Sequence, residues 1–277
     1  MGSIATLAVL TRLHISDWRG RATDKAAAEG VEDAAKARRG TASVNKALVR
    51  PEALSDVRAA ASRARDAHQR LTLPWTDDGQ RLLPAAKVDE YQTRLEKLRG
   101  EYATAVGTFL AAYPQEQALQ AVALGALYDP ADYPSAADMA ARFALDWEIS
   151  AIPSAADIRV DLDPRTRDQI AGDLERRERE RTLAASLSLR DDLQRACQEV
   201  LDMLSYRKPT QACLDRLATA CDRASELNIL DIPEIAMILP VVRPIGTGDR
   251  DRWEIEQVKR SDAALLTMAI QQLEKVQ

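Results

Sequence analysis

Two stretches in the first half of the chain each carry one narrow row of apolar positions, separated by residues 73–84. In both rows the apolar positions recur at alternating steps of three and four residues, which keeps one face of a helix apolar along its length. The first row is Leu54, Val57, Ala61, Ala64, His68 and Leu71, and the second is Val88, Tyr91, Leu95, Leu98, Tyr102, Ala105 and Phe109. Each row needs a partner, and the simplest partner is the other row.

The segment between the rows reads LPWTDDGQRLLP, with proline near both ends and Gly79 inside. Proline stops a helix and glycine permits a reversal, so the pattern predicts an antiparallel helical hairpin over 51–113. The first row is mostly alanine and the second mostly aromatic or leucine, so the helix axes can come close. Pro114 is expected to end or kink the second arm, with a further helix over 115–128.

Alternating apolar and polar residues predict short strands at 7–15, 145–149 and 158–162, which could pair in one small sheet. The expected buried face of the first strand is Leu7, Val9, Leu13 and Ile15, with Thr11 between. Short helices are expected at 25–38 and, capped by Ser135, at 136–143.

A second hairpin is predicted over 164–228. Asp163 and Pro164 begin the longest helix, which should run to about Lys208, and the returning helix covers 210–228. Residues 232–246 fit either a buried helix or an edge strand, Trp253 and Ile255 alternate with polar residues as in a strand, and a last helix is expected at 262–276. The predicted class is mainly α, with long antiparallel hairpins and a small β-sheet element, in two domains (1–162 and 163–277).

Composition supports this class, because alanine, leucine, glutamate and arginine are good helix formers. The net charge of −5 is uneven: residues 1–72 carry +5 and the rest −10. Such asymmetry could favour head-to-tail self-association or an anionic partner.

The three cysteines, Cys197, Cys213 and Cys221, are too few for a disulfide framework and suit buried positions in a reducing compartment. Neither histidine lies near a cysteine, so no metal is expected, and no cofactor motif is present. No apolar run reaches the roughly 20 residues of a membrane span, and the first residues lack the basic start of a signal peptide. We therefore expect a cytoplasmic protein.

Four residues of the 73–84 segment are candidates for partner binding: Trp75, Asp77, Asp78 and Arg81. The aspartates also suit ordinary turn chemistry. Trp75 either folds back over the hairpin end or is an exposed anchor for a partner.

A basic set near the start is the candidate for nucleic-acid binding: Arg12, Trp18, Arg19, Arg21, Lys36, Arg38 and Arg39. Its arginines and lysine could contact phosphates while the tryptophan stacks on a base. The run ERRERER at 175–181 is less suited, since residues 165–181 hold six arginines and five acids and read as a solvated helix face. His68 lies in the alanine row and is expected to be packed. No catalytic motif is visible, so we do not expect an enzyme.

The segment LPWTDDGQRLLP, the helix EYQTRLEKLRGEYATAVGTFLAAYP, the stretch DPADYPSA and the strand-like DIRVDL together resemble a phage-associated family catalogued as domain of unknown function 3150. The resemblance covers about three quarters of the chain, to about Lys208. It implies a phage or prophage source, the bacterial cytoplasm and a mainly helical fold, and it brings no reaction or catalytic residue. Family members beside ring ATPases imply an accessory or adaptor role, with such an ATPase as a candidate partner.

The leading hypothesis is therefore a non-catalytic phage accessory protein that acts through protein–protein contacts as a homo-oligomer, or on a phage or host protein. The alternative is a nucleic-acid-binding protein of phage replication or recombination that uses the basic N-terminal third.

Overall fold

The computed structural model describes residues 4–154 and 163–276. The helices are α1 (Lys25–Ala35), α2 (Ser55–Leu71), α3 (Val88–Leu124), α4 (Ala136–Ala140), α5 (Pro164–Tyr206), α6 (Gln211–Leu227), α7 (Pro233–Gly246) and α8 (Glu256–Leu273). The strands are β1 (Ala8–Ser16), β2 (Arg21–Thr23), β3 (Asn45–Ala47), β4 (Leu73–Pro74), β5 (Arg81–Pro84) and β6 (Ala144–Ser150). The predicted class, mainly α with a small sheet, is confirmed.

The chain divides into two compact units built from interleaved segments. Unit 1 comprises Met1–Arg12, Gln69–Tyr91 and Glu148–Gln277, and unit 2 comprises Leu13–His68 and Gln92–Trp147. The sequence instead predicts a division near residue 162, because a sequence alone suggests only domains that are continuous along the chain.

The four-stranded sheet has the order β4-β5-β1-β6. β5 pairs antiparallel with β1, with Ala8 opposite Pro84, and β4 pairs antiparallel with β5. Residues 73–84 are therefore a β-hairpin added to the sheet, and the prediction of a plain helix-to-helix turn is wrong. The reversal is at Gly79, whose φ of 94° favours glycine. β6 joins the sheet beside β1, as predicted, whereas the strand predicted at 158–162 lies outside the described residues.

The buried face of β1 differs from the predicted one. Ala8 and Leu10 are each 2% exposed and belong to the core of unit 1, whereas Leu7 is 40% exposed. A period of two identifies the alternation but does not say which face meets the core. Here Ala8 and Leu10 meet the core of unit 1, whereas further along the strand His14 and Ser16 are exposed, and Thr11 of the predicted face is 1% exposed. The two-stranded sheet of β2 and β3 is also absent from the prediction, because strands of three residues are too short to show a period.

The core of unit 1 is built mainly from the last four helices. The α5–α6 hairpin forms as predicted, with Asp163 and Thr210 as N-caps. The α5 residues buried in this core are Ala185, Leu189, Leu193, Ala196, Cys197, Val200 and Leu204. α7 packs on α6 so closely that a Cβ at Gly246 would lie 2.9 Å from the backbone nitrogen of Ala218.

The ambiguous stretch 232–246 is helical, as α7. Trp253 lies in a 3-10 helix (Arg250–Glu254), so the strand-like alternation there is misleading. The reason is the buried carboxylate of Asp262, which accepts hydrogen bonds from Trp253 Nε1 (2.8 Å) and Arg252 Nη2 (2.8 Å). This contact holds the 3-10 helix against α8, which begins six residues earlier than expected.

The helices α2 and α3 lie mostly in unit 2 and carry the two predicted apolar rows on largely buried faces, with Val88 and Ala105 half-buried. The ion pair Arg63–Glu101 (3.1 Å) links the two helices. His68 is buried, as expected for a packed residue. The prediction that the arm stops at Pro114 and that a separate helix follows is wrong, because α3 continues through this proline to Leu124. Tyr113, Glu116 and Gln120 lie buried on one face around it, and their packing outweighs the lost backbone hydrogen bond.

Candidate protein-interaction surface

The residues predicted at the tip of the β4–β5 hairpin are largely engaged within unit 1. Trp75 is 6% exposed and belongs to the hydrophobic core, so it folds back and is not an exposed anchor. Asp78 pairs with Arg12 at 2.5 Å and accepts a hydrogen bond from Thr76. Asp77 is exposed.

Arg81 is turned towards the chain rather than towards solvent. Its Nε donates to the hydroxyl of Thr72 (2.6 Å) and its Nη2 to the carbonyl of the same residue (3.1 Å). Burial, together with the nearby charge of Arg223, lowers the pKa of Arg81 to about 10. Arg81 thus stabilises the start of the β4–β5 hairpin.

The basic set is divided between the two units, and not all of its members are free to contact nucleic acid. Trp18 is 7% exposed and packs on Phe109 and Tyr113, with ring centroids 6.1 and 5.9 Å away. It is therefore not available to stack on a base, which corrects the prediction. Arg39 pairs with acidic neighbours, at 3.1 and 3.6 Å, and Arg12 belongs to unit 1. The members left exposed in unit 2 are Arg19, Arg21, Lys36 and Arg38.

The charged first half of α5 is a solvated face, as predicted. Arg176 pairs with Asp173 (3.0 Å) and Glu180 (3.2 Å), and Arg179 pairs with Glu175 (3.8 Å). These are ordinary ion pairs along one exposed helix, and each stabilises the helix by about 0.2–0.5 kcal/mol.

A different surface in unit 2 lacks charge altogether, although its helix is long and exposed. Residues 102–128 contain one charged residue, Glu116. Opposite the buried side of α3 lies a continuous exposed strip, which we call the α3 outer face. It consists of Ala103, Thr104, Gly107, Thr108, Ala111, Ala112, Gln115, Ala118, Leu119, Val122 and Ala123.

Large apolar side chains stand out at the C-terminal end of the α3 outer face. Val122 is 86% exposed and Leu119 is 43% exposed. The hydroxyls of Thr104 and Thr108 donate to carbonyls of their own helix, at 2.9 and 3.1 Å, so they already have an acceptor within the helix. A face of this kind is less costly to remove from water than a charged one.

The single carboxylate of this stretch is turned away from the face. Glu116 is 5% exposed and forms a two-bond pair with Arg50, at 3.0 Å from Nε and 2.5 Å from Nη2. The hydrogen bond and charge of Arg50 lower the pKa of Glu116, which therefore remains ionised and paired. Sequence reasoning missed the α3 outer face, although the long gap between charged residues was its visible signal.

Among the described residues, no three metal-ligating side chains converge on one point, and no helix is long and apolar enough to cross a membrane. Compared with protein-family models, with curated proteins and with solved structures, the chain matches none. The resemblance to the phage-associated family therefore stays a prediction from the motifs.

Proposed function

We propose that this protein is a non-catalytic accessory protein that works through protein–protein contacts and self-associates through the α3 outer face. The observation that supports the proposal most directly is an exposed helix surface without charge, in a chain in which 29% of residues are charged. The phage setting of the proposal rests on the motif resemblance.

The chain itself provides the comparison that gives this observation weight. Residues 164–181 of α5 form an exposed helical stretch, and 11 of those 18 residues are charged. The exposed side of α3 from residue 103 to 123 has none. Both are long helices of one protein, so the overall composition of the chain does not account for the difference. An uncharged, partly apolar strip is typical of the buried centre of an interface.

We take a second copy of the chain as the partner of this face, because that choice requires no charge complementarity from another protein. In a two-fold interface the same surface meets itself, and a face without charges has no like-charge repulsion across the axis. Small alanine and glycine side chains also let two helices approach closely.

The size of the face predicts a weak contact. From Thr104 to Val122 the helix rises about 27 Å, and a helix surface is about 10 Å wide, which falls below the ~800 Å² per partner of a stable dimer. We therefore expect a dimer that dissociates on dilution, with a Kd of about micromolar order.

The test is the mass in solution by light scattering and sedimentation across a concentration series. Ala118→Glu and Val122→Glu, on the α3 outer face, should shift the protein to monomer. Ala184→Glu, an exposed alanine on α5, is the matched control and should leave the mass unchanged. A wild-type monomer up to about 200 μM, two hundred times a micromolar Kd, would refute self-association.

Nucleic-acid binding through Arg19, Arg21, Lys36 and Arg38 is the second candidate, supported by their exposure in unit 2. It predicts binding to DNA that weakens steeply with salt, because arginine contacts with phosphate release counterions. Replacing Arg19 and Arg21 by glutamine should then weaken binding without changing the mass. No binding at about 50 mM salt would exclude this function.

A further inference from the structure

We propose that unit 1 contains a separate binding groove for an amphipathic segment of a partner protein, one that presents apolar side chains together with lysine or arginine. The groove, which we call the α5–α7 groove, lies where α5, the α6–α7 loop and the described ends of the chain meet. Its apolar lining consists of Ile4, Leu7, Leu183, Ile229, Leu230, Ile232, Pro233 and Val276.

The size and lining of the groove suit a bound segment. Its volume is about 850 Å³, within the range of about 300–1,000 Å³ that ligand pockets occupy. Two of its large apolar side chains, Leu7 and Leu183, are 40% and 46% exposed at the groove. Covering them with apolar side chains of a partner would remove this surface from water. The hydroxyls of Thr182 and Ser186 lie among the apolar residues.

The charged lining of the groove is acidic on balance, with three carboxylates and two cations. Asp231 and Glu234 line one side, and neither has an ion pair among those found in the part of the chain that the structure describes. Glu178 adds a third carboxylate to the lining, against two cations: Arg179, which pairs with Glu175 (3.8 Å), and Lys275, whose ammonium group donates to the neutral side-chain amide of Gln272 (3.1 Å). The groove therefore presents negative charge beside an apolar floor, which complements a cationic amphipathic segment.

The acidic side is held in shape before any partner arrives. Asp231 has a φ of 49°, a left-handed conformation that few residues other than glycine, asparagine and aspartate adopt. Asn228 holds this turn through three hydrogen bonds: its side chain accepts from Ile232 N (2.9 Å) and donates to Ile232 O (3.2 Å), and its carbonyl accepts from Asp231 N (3.1 Å). A preshaped rim lowers the entropy cost of binding.

An amphipathic helix is the form of segment that these features fit. Such a helix places apolar residues at i, i+3, i+4 and i+7 into a groove while its basic residues meet an acidic edge. The groove belongs to unit 1 and the α3 outer face to unit 2. The two sites can therefore be tested apart.

The probe is a fluorescein-labelled amphipathic peptide of 14 residues (about four turns) built from leucine and lysine, measured by anisotropy against the intact protein. Its counterpart carries glutamate at each lysine position. We expect the lysine peptide to bind at least about tenfold more tightly than the glutamate peptide, a difference of about 1.4 kcal/mol.

Variants locate the binding. Leu183→Gln should weaken it about tenfold, whereas Ile170→Gln should leave it within about twofold, since Ile170 is a similarly exposed apolar residue of α5 outside the groove. Asp231→Asn with Glu234→Gln should also weaken it about tenfold. Asparagine tolerates the left-handed conformation, so this change removes charge without backbone strain.

Three results would overturn the proposal: equal binding of the two peptides, equal loss with Leu183→Gln and Ile170→Gln, or no binding at about 100 μM peptide, far above the Kd expected of a specific peptide complex. The Val122→Glu variant serves as the separate check. If it is monomeric and still binds the lysine peptide, the two sites are independent. If binding is lost with it, the peptide does not bind in the α5–α7 groove alone and the proposal is wrong.

Discussion

The alanine row of α2 is the feature whose perturbation tests the hairpin most directly. Ala61 is fully buried in unit 2 and Ala59, two residues earlier on the same helix, is exposed. The substitution Ala→Leu at either position adds the same three heavy atoms and has the same small effect on helix propensity. The difference between the two variants therefore measures how tightly the buried side of α2 is packed.

The expected magnitude follows from how tightly the row is packed. Ala60, Ala61 and Ala64 are all 0% exposed, so a larger side chain has no route to solvent. Overpacking of a well-packed core costs about 1–3 kcal/mol, whereas an exposed substitution stays within about 0.5 kcal/mol. With a urea m-value of about 2 kcal/mol/M, a loss of about 2 kcal/mol lowers the unfolding midpoint by roughly 1 M.

The assay is urea unfolding followed by far-UV circular dichroism, with wild type, Ala59→Leu and Ala61→Leu measured side by side. We expect Ala61→Leu alone to shift the midpoint. If both variants have the same urea midpoint as the wild type, the buried side of α2 is not tightly packed and the reasoning is refuted.

Three further predictions concern single groups. Asp262→Ala should destabilise unit 1 by about 3 kcal/mol, because it leaves the Arg252 guanidinium without its buried partner. The carboxylate of Glu32 accepts the backbone N–H of Ala42 (2.8 Å), which lowers the pKa of Glu32. Its stabilising contribution should be complete above the ordinary pKa and be lost as pH falls through the lowered one, so Glu32→Gln should flatten the acid limb of a stability–pH curve. Burial raises the pKa of Cys197 to about 12, so this thiol should react with thiol reagents at pH 8 only after unfolding.

The predictions for Asp262 and Glu32 each have an internal control. Asp222 forms an exposed pair with Arg243 (3.3 Å), so Asp222→Ala should lower the free energy of unfolding by no more than about 1 kcal/mol. Glu29→Gln, on the exposed side of α1, should keep the acid limb of the wild type. Fast labelling of the native cysteines would contradict their burial. An equal effect of Asp222→Ala and Asp262→Ala would contradict the account of the buried pair.

Local chemistry made several elements predictable. Asp163 and Ser135 cap helices where the sequence places them, since the short polar side chain of an N-cap meets backbone N–H groups two or three residues later. The two apolar rows are buried as expected, because a helical period requires no knowledge of distant residues. Pro114 shows the limit of such rules, since the packing around it outweighs the tendency of proline to end a helix.

The candidate surfaces were less predictable than the fold. Trp75 and Trp18 are large apolar residues in polar stretches, and the sequence alone does not say whether they are covered. The α3 outer face was visible as a gap in charge, but its exposure depends on which side of α3 packs inward. The α5–α7 groove joins residues from opposite ends of the chain, so no local pattern could indicate it.

The sequence by itself determined the helical class, the α5–α6 hairpin and the N-caps at Ser135 and Asp163, because these depend on periods and contacts within a few residues. The tertiary structure alone decided that residues 73–84 form strands, which face of β1 is buried, and how the segments divide between the two units. These outcomes depend on pairing and burial between residues far apart in the chain, and their free energies appear only once those residues meet.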